Sequence, residues 1–597
     1  MSAVAPVRGG AEFGGPAAAS SLPELLTARS AMSPDRVAWR QKRLGLWTET
    51  SWAQLEARAA AYAAGFANRG IERGSRVAMI VGPGIEAAAA GLGLQGMGSV
   101  VVSLHPGRSA LELGVLLADA DVQIAIAEDA EQLATILEAR PMVPRLREVF
   151  VVDRRGIPVA TGSPAQLVTV AERSDDATDA IDSWRESVGR LAPDGPALLV
   201  LTVGGSGAPR PVALTHANLM AATRALADGV PVVSDDEILS YLPPSHVLEC
   251  VLSMGVAPLV GAVVSVGDGP DGVLTDLRDV RPTVLLGVPS LWDRLAERVE
   301  ERRSRAGWLK RKVLDAGLRR GRRRLAARRS GARPGLLAGR LSTRRVLALL
   351  GLDRTRAPLS ALGSLADQTA DTLGAIGLVV RQCYGTAEAS GLLTLEQADR
   401  VRPGSVGHPV AATQVRVDAN GELLARGAQI GPHALDAEGW LHTGDRARVD
   451  DDSVVRLVGR AEDLIVTAAG ARVDAAMVAE ALERLPLVRR VVVSGDGRSS
   501  IGALLELDSV ELGAWAGERS APFSALRDLL EWPELHSELE RGVAAANDVL
   551  PPEARVQEFR ALPGPFVLHA ELTGTQRLRR AAALRLHAHL VEEMYRE

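Results

Sequence analysis

The chain has 597 residues, about four times a typical domain length, and is expected to form two to three domains. Its composition, 47% hydrophobic and 3% aromatic, describes a soluble globular protein whose large core is built on Ala, Leu and Val rather than on rings. A net charge of −5 argues against nucleic acid as a partner, and two cysteines, Cys250 and Cys383, exclude a disulfide framework or zinc ribbon and fit a reducing cytoplasm.

Residues 1–20 lack the apolar core of a signal peptide and read as a disordered Ala/Gly/Pro tail. Beyond them, short apolar runs at 76–81, 100–104, 122–127, 149–152, 197–201, 263–266 and 283–286 alternate with Ala-rich stretches. That rhythm predicts α/β layers with largely parallel strands. The run at 197–201 leads into LTVGGSGAPRPV, residues 201–212, followed by ALTHANL. Gly204, Gly205 and Gly207 leave main-chain N–H groups open to an anion, with Thr202, Ser206 and Arg210 beside them. A strand-to-helix phosphate cradle is predicted, with Thr215 capping the helix. A flexible turn has the same composition, and the pattern G-x-x-x-x-G-K-[ST] is absent.

Residues 250–267 carry no charge, but Pro258 and three glycines interrupt them, so they read as core rather than as a membrane span. Residues 301–345 hold 17 Lys or Arg against Glu301 and Asp315 alone. Within them Trp308, Leu309, Val313, Leu314 and Leu318 fall at helical spacing; such a helix either lies on an anionic bilayer or is simply solvated. Past Val410 the pattern changes to hairpins, one turning at Ala419-Asn420-Gly421 and a second across 446–458. A smaller unit follows, with a helix at 475–485 and strands at 489–494 and 501–507. The boundaries fall at 21–459 for a large domain and 460–597 for a small one.

The motifs, in their order, resemble those of the adenylate-forming superfamily, and within it the long-chain fatty-acyl-CoA ligases, over nearly the whole chain. LTVGGSGAPRPVALTHAN is similar to YTSGTTGxPKGVxLTHxN, YLPPSHVLE to LPLAHxxE, VRPTVLLGVPSLWDRL to the VPRVWEK segment, and QCYGTAEASG to YGxTE. GSVGHPV, GWLHTGD and GRAEDLIVTAAGARV follow, and ELTGTQRLRRAAA resembles ELTPTLKLRRK. The resemblance implies an α/β fold: a large N-terminal adenylate-forming domain of layered sheets and helices and a small, mobile C-terminal α+β domain. It implies that a long-chain fatty acid and ATP form acyl-AMP with loss of pyrophosphate, and that coenzyme A then takes the acyl group, with Mg2+ as cofactor.

By residue, the resemblance implies that Thr202, Gly204, Gly205, Ser206, Gly207 and Arg210 hold phosphate, that Tyr384 lies against adenine beside Gly385 and Thr386, and that Glu388 ligates the metal. Asp445 takes the ribose hydroxyls, Arg460 ribose or phosphate, and Glu462 is the hinge about which the small domain rotates. His246 stands near the acyl carboxylate, or is a satisfied buried histidine. Arg577 occupies the place of the lysine that bridges acyl carboxylate and α-phosphate.

Departures fall on the same groups. Val203 and Gly205 replace two hydroxyl residues, Arg210 and Arg577 replace lysines, and Ala387 replaces the threonine of YGxTE. A guanidinium is broad and planar where an ammonium is a compact point charge, so two readings stand. One is an active, attenuated ligase. The other is a degenerate relative that binds nucleotide or acyl ligand as a regulatory or partner protein. Activation of aryl or amino acids for a carrier protein would instead predict no dependence on coenzyme A. The segment 360–367, SALGSLAD, departs so far from SGGAPL that the acyl pocket is not readable there.

Overall fold

The computed structural model describes residues 16–43, 45–153, 155, 168–170, 177–203, 209–267, 269, 272–329, 340–398, 400–519, 526–567, 571–572 and 578–596. Gly204, Gly205, Ser206, Gly207 and Arg577 lie outside them, as do the side chains of Thr202 and Arg210 and residues 1–15 of the N-terminal stretch. The chain divides into two compact units, one holding the described residues up to Thr443 apart from Val203 and 209–210, together with 447–457, and the other Val203, 209–210, Gly444–Arg446 and the chain from Val458.

Two large sheets build the first unit. One has seven strands in the order Val168–Val170, Glu148–Val151, Ile124–Ala127, Arg76–Ile80, Val100–Leu104, Pro196–Val203, Pro209–Thr215, and the first six run parallel. The other has nine. Its parallel centre runs Arg381–Tyr384, Ala357–Ser360, Val284–Gly287, Glu237–Ser240, Val263–Val266, Val37–Arg43. Antiparallel strands close both edges, Leu46–Ser51 on one side, Thr394–Leu395 and His408–Pro409 on the other. The central strands are apolar on both faces because helices cover both, as parallel sheets require. Helix starts are written in the sequence. Ser51 and Gln54 form a capping box before Trp52–Ala67, and Thr215 and Asn218 form another before His216–Gly229.

A strand stands where the sequence predicts a direct strand-to-helix turn. Pro209–Thr215 is itself a strand, beside Pro196–Val203, and the helix begins only after it. Val212 and Leu214 are buried while Pro211 and Ala213 are not, which is the period of two of a strand. The glycine segment therefore joins two strands, and no helix N-terminus follows it directly to add its dipole.

The basic stretch forms the helix Trp308–Arg329, and its apolar positions divide. Leu318 and Leu325 are buried, with Leu325 against Gly374 of the helix Asp367–Ala375. Trp308, Leu309 and Val313 stay exposed beside Lys310, Arg311 and Lys312. Among the described residues, no helix is long and apolar enough to cross a membrane.

A four-stranded sheet, Gln414–Val417, Glu422–Arg426, Leu441–Val449, Val455–Arg460, carries the chain onward. In the second unit, Val488–Ser494 pairs antiparallel with Ile501–Leu507, which pairs parallel with Val556–Ala561. The helices Ala475–Glu483, Ser509–Glu518 and Pro533–Asp548 share one hydrophobic cluster with this sheet, while Val492 and Leu504 face a second cluster with the final helices. It is an α+β unit.

Candidate functional site

In the first unit, the strand Arg381–Tyr384 ends at Tyr384, on the carboxyl side of the parallel strands where α/β sheets bind ligands. Gly385 follows of necessity: a Cβ there would lie 2.4 Å from the backbone nitrogen of Leu392, so only a glycine lets the chain double back. The returning strand donates from Leu393 N to the Tyr384 carbonyl at 2.7 Å. Inside the loop, the amides of Ala389 and Gly391 donate to the Thr386 carbonyl at 3.0 and 2.9 Å.

Two outside contacts fix this loop. Ser390 Oγ donates to the Gln429 carbonyl at 2.8 Å, and Gly431 N donates to the Glu388 carbonyl at 2.8 Å. Asn218, the last letter of the LTHAN motif, donates from Nδ2 to the carbonyls of Ala428 and Ile430 at 2.7 and 3.0 Å. The motif therefore holds the segment that holds the loop. Beneath it, the buried Glu396 accepts from Gln382 N, Ser405 Oγ and Arg402 N at 2.8, 2.7 and 3.0 Å, which pins the strand bearing Tyr384.

Two polar groups on this rigid loop are uncommitted. The buried Thr386 Oγ1 has no hydrogen-bond partner among the described residues, and the half-exposed Glu388 carboxylate likewise makes no ion pair or hydrogen bond there. A hard divalent cation suits such a carboxylate. Among the described residues no cluster of three or more His, Cys, Asp or Glu accompanies it, so remaining ligands would come from phosphate oxygens or water. The residues present fit a magnesium nucleotide rather than a free metal.

His246 begins the short helix Val247–Cys250, and Gly391 of the loop packs on it, with its ideal Cβ 2.8 Å from Leu248 Cβ. The ring of His246 meets that of His105 edge to face, 5.8 Å between centroids. Burial, and secondarily His105, pushes the His246 pKa down to about 4; burial also lowers that of His105. Both imidazoles are therefore neutral near pH 7, and His246 can donate or accept a hydrogen bond but offers a carboxylate no charge. Sequence reading missed His105. Its position just past the strand Val100–Leu104, at a carboxyl end, was the available signal.

In the second unit, Arg460 Nε pairs with Asp445 at 2.9 Å, and Arg446 Nη1 lies 3.5 Å from Asp474, whose other carboxylate oxygen caps the helix Ala475–Glu483. The segment around Arg577 is described at its base. Leu572 and Leu578 form an antiparallel bridge, and Arg579 N donates to the Glu571 carbonyl at 2.7 Å. The buried Glu571 carboxylate accepts from Val567 N at 2.8 Å and pairs with His587 at 2.7 Å. Arg580 donates to the carbonyls of Val493 and Glu462 at 2.7 and 2.8 Å, so its guanidinium is already engaged within this unit.

Layered parallel sheets, a doubled-back loop bearing an unpaired hydroxyl and carboxylate, and a separate α+β unit define the adenylate-forming class of α/β enzymes. The chain belongs to the AMP-binding enzyme family, which matches residues 26–432, with the AMP-binding enzyme C-terminal domain matching 462–597. The Mycobacterium bovis long-chain-fatty-acid–CoA ligase FadD15 is 29% identical over 588 residues, 94% of this chain and 95% of that protein. The Xenopus laevis long-chain-fatty-acid–CoA ligase ACSBG2 is 23% identical over 94% of this chain and 82% of its own. Among solved structures, Bacillus subtilis O-succinylbenzoate coenzyme A synthetase with ATP and magnesium has a TM-score of 0.63 at 17% identity, covering 93% of this chain and 98% of its own. ATP-bound MatB from Rhodopseudomonas palustris has a TM-score of 0.64 at 18% identity, covering 96% and 99%. At these identities the structures speak for the fold.

Proposed function

We propose that the chain is an AMP-forming long-chain-fatty-acid–CoA ligase: it joins a fatty acid to the α-phosphate of ATP, releases pyrophosphate, and passes the acyl group to the thiol of coenzyme A. The full-length similarity to curated ligases of that name supports the substrate class. The observation that carries the reading is the loop of Thr386 and Glu388, a buried unpaired hydroxyl and a free carboxylate two residues apart on a backbone anchored to the segment 429–431, which Asn218 holds in turn.

The first step brings an anionic carboxylate to an anionic phosphate, and the protein must offset that repulsion. A bound magnesium ion would neutralise phosphate oxygens, held by Glu388. Thr386 Oγ donates to an α-phosphate oxygen, which relieves its own unpaired burial. Ala387 supplies no hydroxyl there, and one such bond is worth about 0.5–1.5 kcal/mol, more with a charged partner. Neutral His246 orients the carboxylate by a hydrogen bond. Asp445 accepts from the ribose hydroxyls and Arg460, already paired with it, faces the nucleotide. Thr202, Gly204, Gly205, Ser206, Gly207 and Arg210 cradle the departing pyrophosphate, and Arg577 bridges the two reacting anions. Rotation about Glu462 then exchanges Arg577 for the thiol.

We further propose that the exposed Trp308, Leu309 and Val313, flanked by cations, rest on the anionic membrane that holds the insoluble acid.

Pyrophosphate release with magnesium, ATP and a panel of fatty acids tests the activity. Release that needs a fatty acid and is lost in Glu388→Ala supports it; nucleotide binding without release for any acid favours the degenerate, non-catalytic reading instead.

A further inference from the structure

One turn beyond His246, the same short helix carries a titratable group that the two-step reaction does not use. Glu249 is 2% exposed, and neither of its carboxyl oxygens has a hydrogen-bond partner among the described residues. Native proteins rarely leave such a group unmatched, because burying it without a partner is strongly disfavoured. The carboxyl lines a small cavity. Trp39, Ala88, Leu242 and Met254 give it apolar walls, and Ser240 and Ser253 are its other polar side chains. The room is about 10 Å³, enough for one group the size of a water molecule.

In the ligase reading above, the cavity adjoins the acyl side of the candidate site, beside His246. Leu242 and Pro244, both on its wall, lead directly into His246, and Glu249 N donates to the His246 carbonyl at 2.9 Å. Ser253 Oγ donates to the Glu249 carbonyl at 2.8 Å, which fixes the turn. Immediately after, Val251–Val256 is a π-helix, an irregularity found disproportionately at functional sites. Burial pushes the Glu249 pKa up to about 7, the nearby Ser240 hydroxyl opposing the rise, so a large share of the group is a neutral acid near neutrality. A neutral carboxylic acid presents one O–H donor and an acceptor oxygen at the same place.

Size and chemistry together select the occupant. A carboxylate is too large, a methylene leaves both oxygens unmatched, and a keto oxygen uses only the donor. A hydroxyl uses both. Resting on the ligase reading above, we propose that Glu249 and this cavity form a hydrogen-bonding subsite for a hydroxyl carried on the acyl chain, which makes hydroxylated fatty acids the preferred substrates. Sites built to bond a substrate hydroxyl reject the analogue that lacks it far more strongly than apolar pockets reject a missing methylene.

The test compares chain-matched fatty acids with and without a single hydroxyl, its position varied along the chain, in the wild type, Glu249→Gln and Glu249→Leu. Both kcat/KM for thioester formation and equilibrium binding are measured. The wild type is expected to favour one hydroxylated isomer by about tenfold or more. Glu249→Gln, which keeps a donor and an acceptor, retains most of that preference, and Glu249→Leu abolishes it while still accepting the plain acid. A wild type indifferent to the hydroxyl at every position, one that prefers an amino group at that place, or a preference undiminished in Glu249→Leu overturns the subsite. Absent turnover combined with a retained hydroxyl preference in binding overturns the ligase reading alone.

Discussion

Arg580 ties the carbonyl of Glu462 to the strand Val488–Ser494, donating to Glu462 O at 2.8 Å and to Val493 O at 2.7 Å. The consequence lies in covalent geometry. The carbonyl oxygen of a residue lies downstream of both its φ and its ψ bond, so rotation about either bond of Glu462 carries that oxygen with the chain from Asp463 onward. Arg580 thus ties the part of the chain downstream of Glu462 up to the proposed hinge bond itself. Burial lowers the Arg580 pKa while Asp463, Asp496 and Glu462 raise it, and a guanidinium stays charged throughout.

Replacing Arg580 with Ala should therefore blur the rotation more than the chemistry. A hydrogen bond from a charged donor is worth about 1.5–3 kcal/mol, and two carbonyls lose theirs. Overall thioester formation is expected to fall on the order of tenfold, against a smaller loss in pyrophosphate release. Equal losses in the two half-reactions would argue that Arg580 serves stability alone.

Arg577 sets the second expectation. Arg580 is engaged with Val493 and Glu462, which supports the proposal that Arg577 takes the place of the lysine. An attenuated ligase predicts that Arg577→Lys raises adenylation while Arg577→Ala lowers it by about a hundredfold or more, the usual cost of a misplaced or missing charge at a reacting centre. Single-turnover acyl-AMP formation measures both. If Arg577→Ala adenylates as fast as the wild type, Arg577 has no part in the step.

How much of this was readable beforehand depended on what each residue's chemistry constrains. Gly385 sits in a short motif where a tight backbone return dictates the residue type, so it stood out in the sequence; Asp445 stood out by its motif too, and its proposed place at the ribose rests on that motif. The strand Pro209–Thr215 was not foreseen, because only Val212 and Leu214 alternate inward and two prolines suggest a loop. His105 carried no motif, since its significance lies in facing His246 from 141 positions away in the chain. Glu249 closes the YLPPSHVLE stretch, where nothing in the sequence marks it as buried. Only the closing of Trp39 and Ala88 around it, from distant segments, turns it into a buried acid. The basic helix was legible in charge, but which of its apolar residues pack inward depends on the helix Asp367–Ala375 beneath it.

The raised Glu249 pKa has a thermodynamic consequence of definite sign. Its value moves from about 4.5 to about 7 on folding, so the folded state holds the proton more tightly than the unfolded chain. That contribution is fully present below pH 4.5 and is lost as pH rises through 7, a change of about 3 kcal/mol. Glu249→Gln cannot titrate. The wild type should therefore lose stability relative to Glu249→Gln between pH 5 and 8, read from paired thermal unfolding curves; parallel pH profiles for the two proteins would contradict a buried, titrating acid.

The exposed end of the helix Trp308–Arg329 makes the last expectation. Trp308 and Leu309 are 70% and 62% exposed, and Val313 is 55% exposed one turn on, a cluster that water disfavours. Lys312 Nζ lies 4.9 Å from the centre of the Trp308 ring, so the cation and the ring present one amphipathic surface. On an anionic bilayer the apolar side chains enter the headgroup boundary while each nearby cation adds about 1 kcal/mol of attraction. Sedimentation with vesicles is expected to retain the wild type on phosphatidylserine-containing membranes and release it at high salt. Trp308→Ser with Leu309→Ser should weaken retention by on the order of a hundredfold at low salt, since burying two such side chains is worth about 3–6 kcal/mol and part of that is lost to ordering the helix end. Retention unchanged in the double variant would mean that charge alone holds the protein to the vesicle, and the apolar cluster would need another partner.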